Sequence, residues 1–119
     1  MTTRDPHEAQ LSLATYGTLA PGRPNHHQLD GLHGSWTQGT THGRLIEAGW
    51  GADLGYPALV LDPSGPPVAV EIFTSADLPQ HWDRLDAFEG PGYRRVVTTV
   101  STALGSVLAS IYVMAHEGT

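Results

Sequence analysis

Apolar residues in this chain come in short runs separated by clusters of glycine, proline and small polar residues. Residues 11–16 read as a first strand, and they run into Gly17-Thr18-Leu19-Ala20-Pro21-Gly22, which is turn chemistry. Residues 35–48 mix threonine, glycine and aliphatic positions and fit one long bent strand or two short ones. Residues 58–62 and 68–73 flank Asp62-Pro63-Ser64-Gly65-Pro66-Pro67, the best hairpin signal in the sequence. Residues 94–102 and 107–114 read as a second hairpin joined by Ala103-Leu104-Gly105-Ser106. Residues 26–32 fit a short helix. The main helix spans 78–89, with Asp77 or Ser75 as N-cap, Pro79 in the first turn and Gly90-Pro91 as the stop. Residues 1–10 are polar and read as a flexible N-terminal arm before a single domain over 11–119. Strands, a short helix, strands, a long helix and a hairpin make an α+β chain rather than an alternating α/β one. Short, glycine-rich strands point to a small twisted sheet or barrel.

One position breaks the pattern. The apolar stripe of the 78–89 helix is Leu78, Trp82 and Leu85, and the next position on it is Glu89. A carboxylate thus stands where a core residue is expected, at a helix C-terminus, where the backbone dipole disfavours negative charge. Burial and the helix end both favour the neutral acid, so a raised pKa suited to general acid–base work is expected. The alternative is a frayed helix end that turns Glu89 to solvent. Asp83 and Asp86 lie off the stripe and are expected to have no special role. A second feature is the strand end at Tyr16-Gly17-Thr18-Leu19. Successive N–H groups in such a turn can converge on an anion, and a glycine there permits close approach. An ordinary strand-end turn is the alternative.

Composition narrows the chemistry. The 119 residues suffice for one domain, and 14 glycines with 9 prolines account for the many turns. There is no cysteine, hence no thiol nucleophile, disulfide or cysteine-ligated zinc. All six basic residues are arginines, which excludes a Schiff-base lysine and a P-loop. A net charge of −6 argues against nucleic acid as partner. The longest apolar runs fall far short of the ~20 residues that span a bilayer, so no membrane association is expected. With no signal-peptide pattern at the N-terminus, a cytoplasmic protein is expected. The seven histidines show no H-E-x-x-H, and solvated or structural roles are expected of them, with no metal. There is no G-x-S-x-G elbow and no G-x-G-x-x-G.

Two motifs carry a resemblance. Tyr16-Gly17-Thr18-Leu19 with Pro21-Gly22 is similar to the YGTLxxG opening of the gamma-glutamylcyclotransferase-like superfamily. Leu85-Asp86-x-Phe88-Glu89-Gly90-x-x-Tyr93-x-Arg95 resembles its LDxxEGxxYxR segment. Asn25-His26-His27, Tyr56-Pro57 and Ile111-Tyr112-Val113 also match, as in short bacterial members, and the likeness runs over residues 11–115. One departure is Val70, where the strand before the helix usually carries glycine. A valine there is expected to narrow the pocket or shift the strand.

The resemblance implies a small mixed β-barrel with one main helix and one short helix packed outside. It implies a cavity lined by the Tyr16–Leu19 loop, with Glu89 as catalytic acid–base and no cofactor. The implied substrate is a small gamma-glutamyl amine or peptide, whose α-amine attacks its own γ-carbonyl and releases 5-oxoproline in acyltransferase- or lyase-type chemistry. On this reading Tyr16, Gly17, Thr18, Leu19 and Tyr93 bind substrate, through backbone N–H groups at 17–19 and hydroxyls at Tyr16 and Tyr93. A monomer or homodimer is expected. A non-catalytic small-molecule-binding barrel or protein-interaction module is the alternative. Glu71 shares a strand face with Ala69 and Phe73 and lies either inside the barrel at the site or outside on the surface. Arg94 and Arg95 point to opposite faces, so at most one faces the cavity. Arg95, which matches the family motif, is expected either to pair with a carboxylate there or to form a structural ion pair.

Overall fold

The structure is a computed structural model that describes residues 6–17, 26–46, 58–90 and 92–114. Among the described residues there are six strands: β1 (Ser12–Thr15), β2 (Ser35–Ile46), β3 (Ala58–Leu61), β4 (Pro67–Thr74), β5 (Tyr93–Thr102) and β6 (Gly105–Met114). One helix, α1 (Trp82–Glu89), lies between β4 and β5. The strand order is β3-β2-β4-β1-β6-β5, and β5 returns to β2 through Thr40↔Ser101. Five strands therefore close a mixed barrel, with β3 appended to β2. Every pairing is antiparallel except β1 with β6.

Strand alternation sends successive side chains to two separate cores. Inside the barrel lie Ala14, Val70, Ile72, Val100 and Ile111, together with Leu59 from β3. Their sequence neighbours Leu13, Phe73 and Tyr112 face outward and pack against Leu29, Leu78, Trp82 and Leu85. The helix layer thus covers one part of the barrel wall. Burying a leucine such as Leu85, which is 0% exposed, contributes roughly 1.5–3 kcal/mol.

Residues 35–48 resolve into one strand over the described part. It pairs with β4 as far as His42 and with β3 from Gly43 onward. Gly43 is required at this switch, because a Cβ there would collide with the carbonyl oxygen of Val60. The second hairpin is tighter than expected. Thr102 pairs with Gly105, so the turn is Ala103-Leu104 alone. The Thr102 hydroxyl donates to the Gly105 carbonyl at 2.7 Å and accepts from the Leu104 N–H at 3.1 Å. The short helix expected over 26–32 is a 3-10 turn, His26–Leu29.

Two further expectations change. The expected arm over 1–10 is anchored in its second half: Pro6–Leu11 forms a 3-10 turn whose Ala9 is 0% exposed. The Ser110 hydroxyl donates to the Ala9 carbonyl at 2.7 Å, and Trp82 Nε1 donates to the Gln10 carbonyl at 3.0 Å. Residues 1–5 lie outside the described residues. The expected helix over 78–89 is divided into a 3-10 turn, Leu78–Gln80, and α1, with His81 between them. Neither expected residue caps α1. The Asp77 carboxylate instead accepts the His33 N–H at 2.8 Å, and Ser75 Oγ accepts the Asp77 N–H at 3.0 Å.

Candidate active site

The stripe on the helix runs as its spacing requires. Leu78, Trp82 and Leu85 are 0%, 3% and 0% exposed, and Glu89 follows them into a partly buried position. Burial pushes its carboxyl from 4.5 up to about 7. Partial burial of Glu89 favours the acid–base expectation over the solvent-turned one. Gly90 ends the helix at φ 84° and ψ −179°, and its N–H reaches the Asp86 carbonyl at 3.1 Å. The chain then turns into β5, where the Tyr93 N–H meets the Gly90 carbonyl at 3.2 Å.

Three phenols interact electrostatically with this carboxyl. Burial holds the Tyr16, Tyr93 and Tyr112 hydroxyls above the ordinary tyrosine value, and the Glu89 charge adds to the effect on each. Tyr16 directly follows β1, Tyr93 opens β5 and Tyr112 stands near the end of β6. The parallel pairing of β1 with β6 brings those strand ends together.

The expected donors at the first motif are already engaged. The Tyr16 hydroxyl donates to the Tyr112 carbonyl at 2.7 Å and accepts the Leu59 N–H at 3.0 Å. A hydroxyl has one proton, so Tyr16 ties β1, β3 and β6 together and has no proton left for a ligand. The Gly17 N–H donates to Thr15 Oγ1 at 3.2 Å, so it does not point into an anion site. Thr18 and Leu19 lie outside the described residues, as do Asn25, Tyr56 and Pro57. Tyr93 lies near enough to Glu89 to feel its charge.

Helical spacing leaves Asp86 without a role, but the structure gives it three bonds. Arg95 Nε donates to Oδ1 at 2.9 Å and Arg95 Nη2 to Oδ2 at 3.3 Å, while the Tyr112 hydroxyl donates to Oδ1 at 2.6 Å. Burial pushes the Asp86 carboxyl up, but Arg95 and Tyr112 outweigh it and hold it below the usual range. The guanidinium lies 4.4 Å from the centre of the Trp82 ring. The available signal was the motif itself, which places Asp86 three residues before Glu89 and Arg95 two after Tyr93.

Glu71 faces outward. Val68, Val70 and Ile72 are buried in the barrel, and Glu71 stands on the opposite face between Thr15 and Gln38. There it lines an open cleft of about 760 Å³ with Thr15, Gln38, Ser101 and two residues of the first motif, Tyr16 and Gly17. Val70 stands in an unbroken strand and also contributes to the lining of that cleft. The pairing of β4 with β2 is continuous from Ser35↔Thr74 to His42↔Pro67, and Val70 packs into the barrel core opposite Gly39. The described histidines are spread over separate contacts, His26 against the Trp36 ring and His42 on the Gly65 carbonyl among them.

Comparison with known proteins adds to this geometry. The profile of the family described as gamma-glutamyl cyclotransferase, AIG2-like, matches residues 13–119. YkqA of Bacillus subtilis is 31% identical with a TM-score of 0.67, over 87% of this chain and 35% of that one. The present chain therefore spans about a third of that relative's length. A mouse AIG2-like protein is 29% identical with a TM-score of 0.68, over 91% of this chain and 79% of that one. An Arabidopsis thaliana protein at 21% identity and a TM-score of 0.70 covers 100% of this chain and 69% of its own, and shares the fold. A search of curated proteins gives no match. Among the described residues no helix is long and apolar enough to cross a membrane.

Proposed function

This chain belongs to the AIG2-like gamma-glutamyl cyclotransferase family, and on that footing we propose that it releases 5-oxoproline from a small gamma-glutamyl amine or peptide. The observation that carries this reading is Glu89, a partly buried carboxyl at about 7 beside Tyr16, Tyr93 and Tyr112.

The substrate contains its own nucleophile. Its α-amine nitrogen attacks the γ-carbonyl carbon, the new C–N bond closes a five-membered ring, and the original C–N bond to the leaving amine breaks. Water is not consumed, and the reaction asks for no cofactor or nucleophilic side chain. Holding the glutamyl chain curled supplies a large proximity advantage. The Glu89 carboxylate takes a proton from the α-ammonium, which makes the amine nucleophilic. The resulting acid returns that proton to the departing nitrogen, and the second proton, shed by the ring nitrogen as the lactam forms, ends on the released amine. A carboxyl near 7 can do both at neutral pH, where one of ordinary acidity is a poor proton donor. On this reading Tyr93 contacts the substrate next to the reacting atoms, and Tyr16 shapes the wall with its hydroxyl committed to the backbone.

The test is turnover on a panel of gamma-glutamyl amines and dipeptides. Wild type releases 5-oxoproline, and Glu89→Gln lowers kcat by about 10²–10⁴-fold, the usual worth of a general acid–base group. Equal turnover by the two proteins removes Glu89 from the mechanism. Binding of such compounds without turnover by wild type makes the chain a binding barrel instead.

A further inference from the structure

The last turn of α1 carries two carboxylates in contrasting surroundings. Glu89 enters the partly buried site, and Asp86, three residues earlier, is held from outside the helix by Arg95 of β5 and Tyr112 of β6. Arg95 is itself pinned against the Trp82 ring at the start of α1. An eight-residue helix has little stability of its own. Its final turn also faces the unfavourable end of its own dipole with an acid at the terminus. What fixes that turn must therefore come from outside it.

Tyr112 makes a second connection through its backbone. Its carbonyl accepts the Tyr16 hydroxyl at 2.7 Å, and that hydroxyl accepts the Leu59 N–H at 3.0 Å. One residue thus grips the helix bearing Glu89 with its side chain and the end of β1 with its main chain. The Asp86–Arg95 pair is 42% and 23% exposed at its side chains, so solvent screens its Coulomb energy. Its two-point geometry, set by the planar guanidinium, survives that screening.

We propose that Asp86, Arg95 and Tyr112 are positioning residues for Glu89, a clamp that sets the last turn of α1 in register with the end of β1. This rests on the acid–base reading of Glu89 for its effect on catalysis, but not for its effect on where Glu89 sits. Among the described residues, the titratable groups that feel the Glu89 charge include Tyr16 just after β1, Tyr93 of β5 and Tyr112 of β6. Asp86 lies one turn back on the same helix with Arg95 bound to it.

Tyr112→Phe is the sharpest test, since it removes one hydroxyl and no charge. In the full chain, kcat and KM for 5-oxoproline release are measured across pH, and the Glu89 carboxyl is titrated directly by carbon NMR. Displacement of a catalytic group by about an ångström is expected to lower kcat by roughly tenfold to a hundredfold with KM little changed. Water reaching the loosened turn brings the Glu89 titration down from about 7 toward its ordinary 4.5, and the acid limb of the kcat profile moves with it. Arg95→Lys, which keeps the charge and loses the fork, gives the same direction and carries the test if Tyr112→Phe does not fold. Arg94→Gln is the control, because Arg94 lines a separate groove with Leu61, Val97 and Met114. If both clamp variants fold and leave the Glu89 titration and kcat at wild-type values, the clamp is ordinary scaffolding and the proposal fails. If wild type turns over no gamma-glutamyl compound, the acid–base reading fails separately, and the titration alone decides the clamp.

Discussion

Glu89 is held where its own charge is disfavoured, and the cost can be read out as pH dependence. Its carboxyl lies near 7 when folded and near 4.5 when exposed. Between those values the folded chain keeps a proton that the unfolded chain has released, so stability falls as pH rises through that window. At about 1.36 kcal/mol per pH unit the loss is roughly 3 kcal/mol, complete above about pH 7. Asp86 has the opposite sign. Burial raises it, but Arg95 and Tyr112 hold it low, so its contribution is present at neutral pH and is lost on acidification through the carboxylate range. Glu89→Gln should therefore match wild type near pH 4.5 and exceed its stability at pH 8 by up to roughly 3 kcal/mol. Urea unfolding at the two pH values measures this, and histidine titration cancels in the difference between the proteins. A difference independent of pH would place Glu89 in water.

At the scale of the element, α1 depends on how it ends. The stripe of Leu78, Trp82 and Leu85 was legible because helical spacing is local, and all three are buried. The break at His81 was not legible, since a 3-10 turn followed by a bend still delivers Leu78 and Trp82 to the same core. Gly90 combines φ 84° with ψ −179°, a region that residues with a Cβ essentially avoid. Gly90→Ala should cost about 1–3 kcal/mol in denaturant unfolding. It should also lower kcat, because relief of the strain moves the turn that holds Glu89. Unchanged stability and turnover would show that the chain leaves the helix by another route.

At the scale of the whole molecule, closure depends on a close approach of β2 to β5. The two strands share the bridge Thr40↔Ser101. Beside it, a Cβ on Gly39 would stand 2.6 Å from Val100 Cγ1 and 3.0 Å from both Ile72 Cδ1 and the Ser101 carbonyl oxygen. Gly39→Val should destabilise the barrel by about 1–3 kcal/mol, the usual cost of overfilling a packed core. Gly17 offers the contrast: a Cβ there meets nothing within 4 Å, so Gly17→Ala should change stability by no more than about 0.5 kcal/mol. Thermal unfolding of the two variants compares them, and equal midpoints would mean that β2 and β5 separate without cost.

Local pattern by itself determined the strands, the turns between them, the buried stripe on the helix and the acid at its end. Alternation, helical spacing and turn chemistry all act over a few residues, so one sequence displays them. The two motifs extended that reading to the family and its barrel. The tertiary structure decided which groups are still available. Tyr16 and Gly17 look like donors in sequence, yet one hydroxyl is committed to a carbonyl 96 residues away and the other N–H to Thr15. Asp86 looks idle, yet it is bound by residues 9 and 26 positions on. Glu71 was open to either face until β1 and β2 took their register against β4. Hydrogen-bond satisfaction and desolvation depend on what distant segments bring alongside a group, and only the closed barrel fixes that.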